Sequence, residues 1–80
     1  MKVKDIMKHS NATETRIIDN STQDDFKVWA VVDYVQKESI IPMGGYNKYS
    51  CIYYLPDEIK NLTVDFISPS NARAITIYTK

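Results

Sequence analysis

Eighty residues, 44% of them hydrophobic, with ten basic residues balanced by ten acidic ones, bound one small domain over 1–80 whose core has few side chains to spare for a deep active-site cavity. Neutral net charge without a block of like charges argues against nucleic-acid binding, because phosphate neutralisation needs a basic stripe and only Lys2, Lys4 and Lys8 could begin one. The longest strictly apolar run, Val28 to Val32, is far short of a membrane span.

Val3, Ile6 and Met7 follow the i, i+3, i+4 spacing of an amphipathic helix, with Lys2, Lys4, Asp5 and Lys8 on the opposite side. His9-Ser10-Asn11 should end it, since such side chains compete for backbone hydrogen bonds. Thr13 to Asp19, with β-branched Thr13, Thr15, Ile17 and Ile18, reads as a strand, and the polar cluster Asn20 to Asp25 as a hairpin loop. Phe26 to Val35 carries the clearest strand pattern: Phe26, Val28, Ala30, Val32 and Tyr34 share one face at period two and are expected in the core. Lys27, Trp29, Val31, Asp33 and Val35 form a mixed second face, which suggests a central strand partly covered on both sides, with Trp29 packed against the cover.

Gln36 to Asn47 loses periodicity and reads as a loop containing Pro42 and the only two glycines, Gly44 and Gly45. Tyr49 to Leu55 resumes alternation as a third strand, and Pro56 to Ile59 fits one helical turn with acids near its positive end. Leu62, Val64 and Phe66 alternate up to the breaker Ser68-Pro69-Ser70-Asn71, and Arg73 to Thr79 follows as the partner strand of a hairpin. The expected fold is α+β: an N-terminal helix packed on an antiparallel sheet of four to five strands.

No chemistry-bearing motif stands out. The single histidine, His9, and the single cysteine, Cys51, are not brought together by any pattern, and a mid-strand cysteine ordinarily behaves as a small buried hydrophobe. Asp24-Asp25 reads as turn chemistry and Asp57-Glu58 as a complement to a helix dipole. No closed zinc pattern exists, so neither a catalytic residue, a metal nor a cofactor is expected. Gly44-Gly45 is no P-loop, because the GKS or GKT ending is missing. The loop and its flanks nevertheless gather Ile40, Ile41, Met43, Tyr46, Tyr49, Tyr53 and Tyr54, and tyrosine is enriched at interfaces. Candidate partner-binding residues are Ile41, Met43, Tyr46, Lys48, Tyr49 and Tyr54.

The start MKVKDIMKHS lacks the apolar core of a signal peptide, and a lone cysteine suits a reducing compartment, so the cytoplasm is expected and the Asn-x-Thr triplets at Asn11, Asn20 and Asn61 carry no weight. Lys, Ile, Asn and Tyr (8, 10, 5 and 6 residues) outnumber Gly, Ala, Arg and Pro (2, 4, 2 and 3), the signature of an AT-rich source. The segments MKVKDIM, TRIID and YLPDEIKNLTVDFISPSNARAITIYTK, the last pairing an NLTVDFI strand with an AITIY strand, resemble small proteins encoded by phages and mobile elements of low-GC Gram-positive bacteria. Residues 26–54 depart from that pattern, and no functional residue carries over. The resemblance implies a non-enzymatic accessory protein of the host cytoplasm, an inhibitor that binds a host defence protein such as a CRISPR effector. A sequestering protein for a small nucleotide signal, with tyrosines stacking on a base and Lys48 or the Gly44-Gly45 amides meeting a phosphate, is the alternative.

Overall fold

The computed structural model describes residues 1–21, 27–71 and 73–80. Helix α1 (Val3–His9) opens the fold. Strands β1 (Glu14–Asp19), β2 (Lys27–Asp33), β3 (Ile40–Pro42) and β4 (Asn47–Tyr49) follow, then a 3-10 turn (Ile52–Tyr54), helix α2 (Asp57–Lys60), and strands β5 (Val64–Asn71) and β6 (Ala74–Thr79). The architecture is α+β, but the sheet has six strands in the order β3-β4-β2-β1-β6-β5 and is mixed: β1 runs parallel to β6 and β2 parallel to β4.

The expectation of four to five antiparallel strands therefore fails in number and in direction, for a local reason. The segment read as one loop contains β3, which pairs antiparallel with β4 as Ile40↔Tyr49, Ile41↔Lys48 and Pro42↔Asn47. The alternation from Tyr49 to Leu55 misleads in the other direction. Ile52 packs against the core and Leu55 is buried within it. Their i, i+3 spacing is that of a 3-10 turn, whose side chains eclipse every third residue.

Helix α1 forms where its apolar spacing put it, with Val3 and Met7 buried. The Lys2 amide donates to the Asp5 carboxylate at 3.0 Å, the reciprocal half of a capping box. That contact, more than the nearby Lys4 and Lys8, holds the Asp5 carboxyl below its usual value. The Val3 amide donates to the Leu62 carbonyl at 3.0 Å and the Val64 amide to the Met1 carbonyl at 2.8 Å, which tie the start of α1 to the start of β5.

One face of the sheet is covered. Val3 and Met7 of α1 and Leu55 join Ile17, Ala30, Val32, Tyr49 and Ile77 in one buried cluster, with Ile59 and Leu62 packed against it. The connection from β4 to β5 thus crosses this face from near one sheet edge to the other.

A β-bulge decides which side chains of β2 join the core. Thr15 pairs with Val32 and Ile17 with Ala30, but Ile18 pairs with Val28, so Trp29 is the inserted residue. Val28 consequently lies on the opposite face from Ala30 and Val32, contrary to the expected period-two face. Trp29 packs on the covered side instead, its indole Nε1–H donating to Thr79 Oγ1 at 3.0 Å while Thr79 Oγ1 donates to the Ile18 carbonyl at 3.1 Å. Tyr34 follows β2 and is exposed rather than core. Phe26 and the acidic pair Asp24-Asp25 lie outside the described residues.

Candidate functional site

The second face of the sheet carries no helix among the described residues, and register places its side chains in rows. Arg16, Val31, Lys48 and Ile41 are successive partners across β1, β2, β4 and β3 and therefore point to the same side. One step along the strands in one direction, Glu14 pairs with Asp33; one step in the other, Tyr78, Ile18 and Val28 are neighbours. An acidic row, a cationic row and an apolar row follow one another, spaced by two residues of strand, about 6.7 Å.

The turn between β3 and β4 rises beside these rows. The Met43 amide donates to the Tyr46 carbonyl at 2.8 Å, closing it. Gly44 sits at φ 92, left-handed backbone that a side chain disfavours and glycine adopts freely. The turn and the sheet together enclose an open cleft of about 360 Å³. Its floor is Val31, Val28 and Ile18; Arg16 and Glu14 form one wall, and Met43, Tyr46 and Lys48 the other. Val31 is 6% exposed although no helix covers it among the described residues. Its register neighbours on the two sides, Arg16 and Lys48, have long aliphatic stems suited to shielding such a residue while their charged ends stay wet.

Electrostatically the cleft holds two ion pairs, one hydrogen-bonded and one longer. Arg16 Nε meets Glu14 Oε1 at 3.0 Å, and Lys48 Nζ stands 3.8 Å from Asp33 Oδ2. Both pairs retain solvent contact, where such contacts contribute about 0 to 1 kcal/mol. Gln36 fastens the outer edge, its Nε2 donating to the carbonyls of Glu38 at 2.6 Å and Lys48 at 3.3 Å.

The six residues singled out in the sequence divide. Met43, Tyr46 and Lys48 meet at the cleft. Ile41 is the half-buried partner of Lys48 on the same face. Tyr49 is 5% exposed and belongs to the core cluster on the covered side, with its hydroxyl accepting from Asn47 Nδ2 at 3.3 Å, so it is a packing residue. Tyr54, exposed, stands edge-on to Tyr53 with ring centroids 5.2 Å apart in the 3-10 turn. Glu14, Arg16, Ile18, Val28 and Val31 complete the cleft and were missed. Their signal was present in Glu14-x-Arg16-x-Ile18, an alternating face that only the three-dimensional placement of the helices shows to be uncovered.

Cys51 lies just before the 3-10 turn, half-buried, and His9 is exposed at the end of α1; no hydrogen bond joins them. Burial, with a smaller contribution from Cys51 and opposed by the Ile52 amide, raises the neighbouring Tyr34 phenol above its usual value. Among the described residues no group of His, Cys, Asp and Glu is arranged to hold a metal ion, and no helix is long and apolar enough to cross a membrane. Comparison with known proteins finds no matching family model, curated protein or solved structure.

Proposed function

We propose that this chain is a non-enzymatic binding protein that acts by direct contact with a protein partner, using the surface built by residues 34–54. One observation carries the reading. Of the nine large apolar side chains exposed among the described residues, six fall in that span: Tyr34, Val35, Ile40, Met43, Tyr53 and Tyr54. Singly exposed apolar residues are ordinary, but their gathering along one segment of chain, at the β3-β4 edge of the sheet, favours an interaction surface at that edge. Tyrosine suits the role because it offers a large contact area with few rotors to immobilise.

The backbone of the span is tied back on itself, which lowers the ordering cost of binding. The Ser50 amide donates to the Ser39 carbonyl at 3.0 Å, and the Gln36 side chain bridges to β4. The resemblance of the end segments to phage and mobile-element proteins adds the partner's nature: a host protein, foremost a defence component, inhibited by occupation of its surface.

The test is capture from host lysate by tagged protein, read by native mass spectrometry, with the double variant Ile40→Ser, Tyr53→Ser alongside. Both side chains are exposed, at 48% and 79%, so the fold should survive their replacement. A stoichiometric adduct formed by the parent and lost in the variant is the expected result. An adduct of equal abundance with both proteins would remove the 34–54 surface from the account.

A further inference from the structure

Beyond the protein-contact surface, we infer that the cleft on the uncovered sheet face is a small-molecule site for a flat apolar ring bearing one carboxylate or phosphate. The cationic row supplies the anion's partners. Arg16 and Lys48 flank Val31 at two strand spacings, about 9.5 Å between backbones. Both side chains are long enough to converge over the valine between them, so one anionic group can meet both charges. Each cation is paired with an acid yet keeps donors to spare: Arg16 uses Nε toward Glu14, one donor of a guanidinium that carries several, and Lys48 Nζ stands 3.8 Å from Asp33, beyond hydrogen-bond distance. Both pairs keep solvent contact, and ion pairs of that kind are weak enough for an anion to compete for the cations.

The neighbouring row supplies the ring's surface. Ile18 and Val28, brought side by side by the bulge in β2, give an apolar floor one row away from the cations, and Met43 and Tyr46 provide the facing wall. A thioether and a phenol are both suited to a flat ring, the first by its adaptable packing, the second by stacking. A cavity of about 360 Å³ lies within the range of small-ligand pockets, roughly 300 to 1,000 Å³. The order of rows also sets the ligand's polarity. With the ring over Ile18 and Val28, the anion falls on Arg16 and Lys48; turned end for end over the same two rows, it would lie on Ile18 and Val28, which offer it no partner.

The ligand's two parts can be tested separately. Phenyl phosphate titrated into isotopically labelled protein should bind saturably, with the largest amide shifts at Arg16, Val31, Lys48 and Tyr46. Inorganic phosphate and phenol, each carrying half of the chemistry, should bind at least ten-fold more weakly. Arg16→Gln and Lys48→Gln should each weaken phenyl phosphate by ten-fold or more, while Lys4→Gln, on α1 over the covered face, should leave it unchanged. Saturable binding that ignores both substitutions would overturn the proposal, as would the absence of saturation at millimolar phenyl phosphate. Ile40→Ser, Tyr53→Ser spares every cleft residue, so loss of partner capture in that variant and loss of phenyl phosphate binding in the glutamine variants are separate outcomes.

Discussion

Replacing Thr79 by Val probes the contact on which the inner sheet and the covered face both depend. Thr79 is completely buried, accepts from the Trp29 indole and donates to the Ile18 carbonyl beside the bulge. Valine preserves the shape and removes the hydroxyl, so both bonds vanish and the part-buried indole N–H is left without its acceptor. A typical intramolecular hydrogen bond contributes about 1 kcal/mol net, and an orphaned buried donor costs about 1 to 3 kcal/mol. The expected loss is about 2 kcal/mol, allowing for the partial solvent access of Trp29. A chain of this length has a total stability of about 4 to 12 kcal/mol, and 2 kcal/mol corresponds to a fall in Tm of about 8 to 16 °C. Urea unfolding followed by the fluorescence of Trp29, the only tryptophan, measures the loss directly. Thr79→Ser, which keeps the hydroxyl and loses only a methyl, should cost about 1 kcal/mol. A Thr79→Val midpoint equal to that of the parent would refute the hydroxyl relay and the placement of Trp29 on the covered side.

Other perturbations test other parts of the structure. Ile17→Ala, at a fully buried position paired with Ala30 and Ile77, should cost about 2 to 5 kcal/mol by calorimetry. Gly44→Ala meets no neighbouring atom but forces a side chain onto backbone at φ 92; a fall of about 1 kcal/mol is expected from the strain alone. Asp5 is acid-linked: its folded carboxyl lies below the usual 3.8, so the stability it confers is present above that value and is lost as the pH falls through the lower folded one. Asp5→Asn should therefore narrow the gap between denaturation midpoints at neutral and acid pH, and an unchanged gap would remove the Lys2 amide contact from the explanation.

The sequence disclosed elements whose apolar period is met by a cover of the same period. Val3, Ile6 and Met7 announced α1, and the pairing of β5 with β6 followed from two alternating runs, although the stretch from Ser68 to Asn71, read as a breaker, is itself part of β5, where Pro69 pairs with Ile75. Parallel pairing was hidden, because β1 and β6 meet across most of the chain and nothing local in either strand records a partner's direction. The bulge at Trp29 was hidden as well. A period-two reading assumes an uninterrupted ladder, and one inserted residue sends Val28 to the face opposite Ala30. For the site, Met43, Tyr46 and Lys48 were legible as a loop rich in contact-forming side chains. Tyr49 shares that composition, yet its register opposite Val32 turns it into the core. Arg16 and Glu14 could be recognised only once α1 and α2 were seen to cover the other side.

Capture from host lysate tests the central claim most directly, with the parent and the Ile40→Ser, Tyr53→Ser variant compared by native mass spectrometry at equal concentration. The account predicts a partner of defined mass and stoichiometry on the parent, absent from a variant that retains the parent's circular dichroism and Tm. The same partner on both proteins, or none on the parent in the lysate of its own host, would contradict a binding function located on residues 34–54.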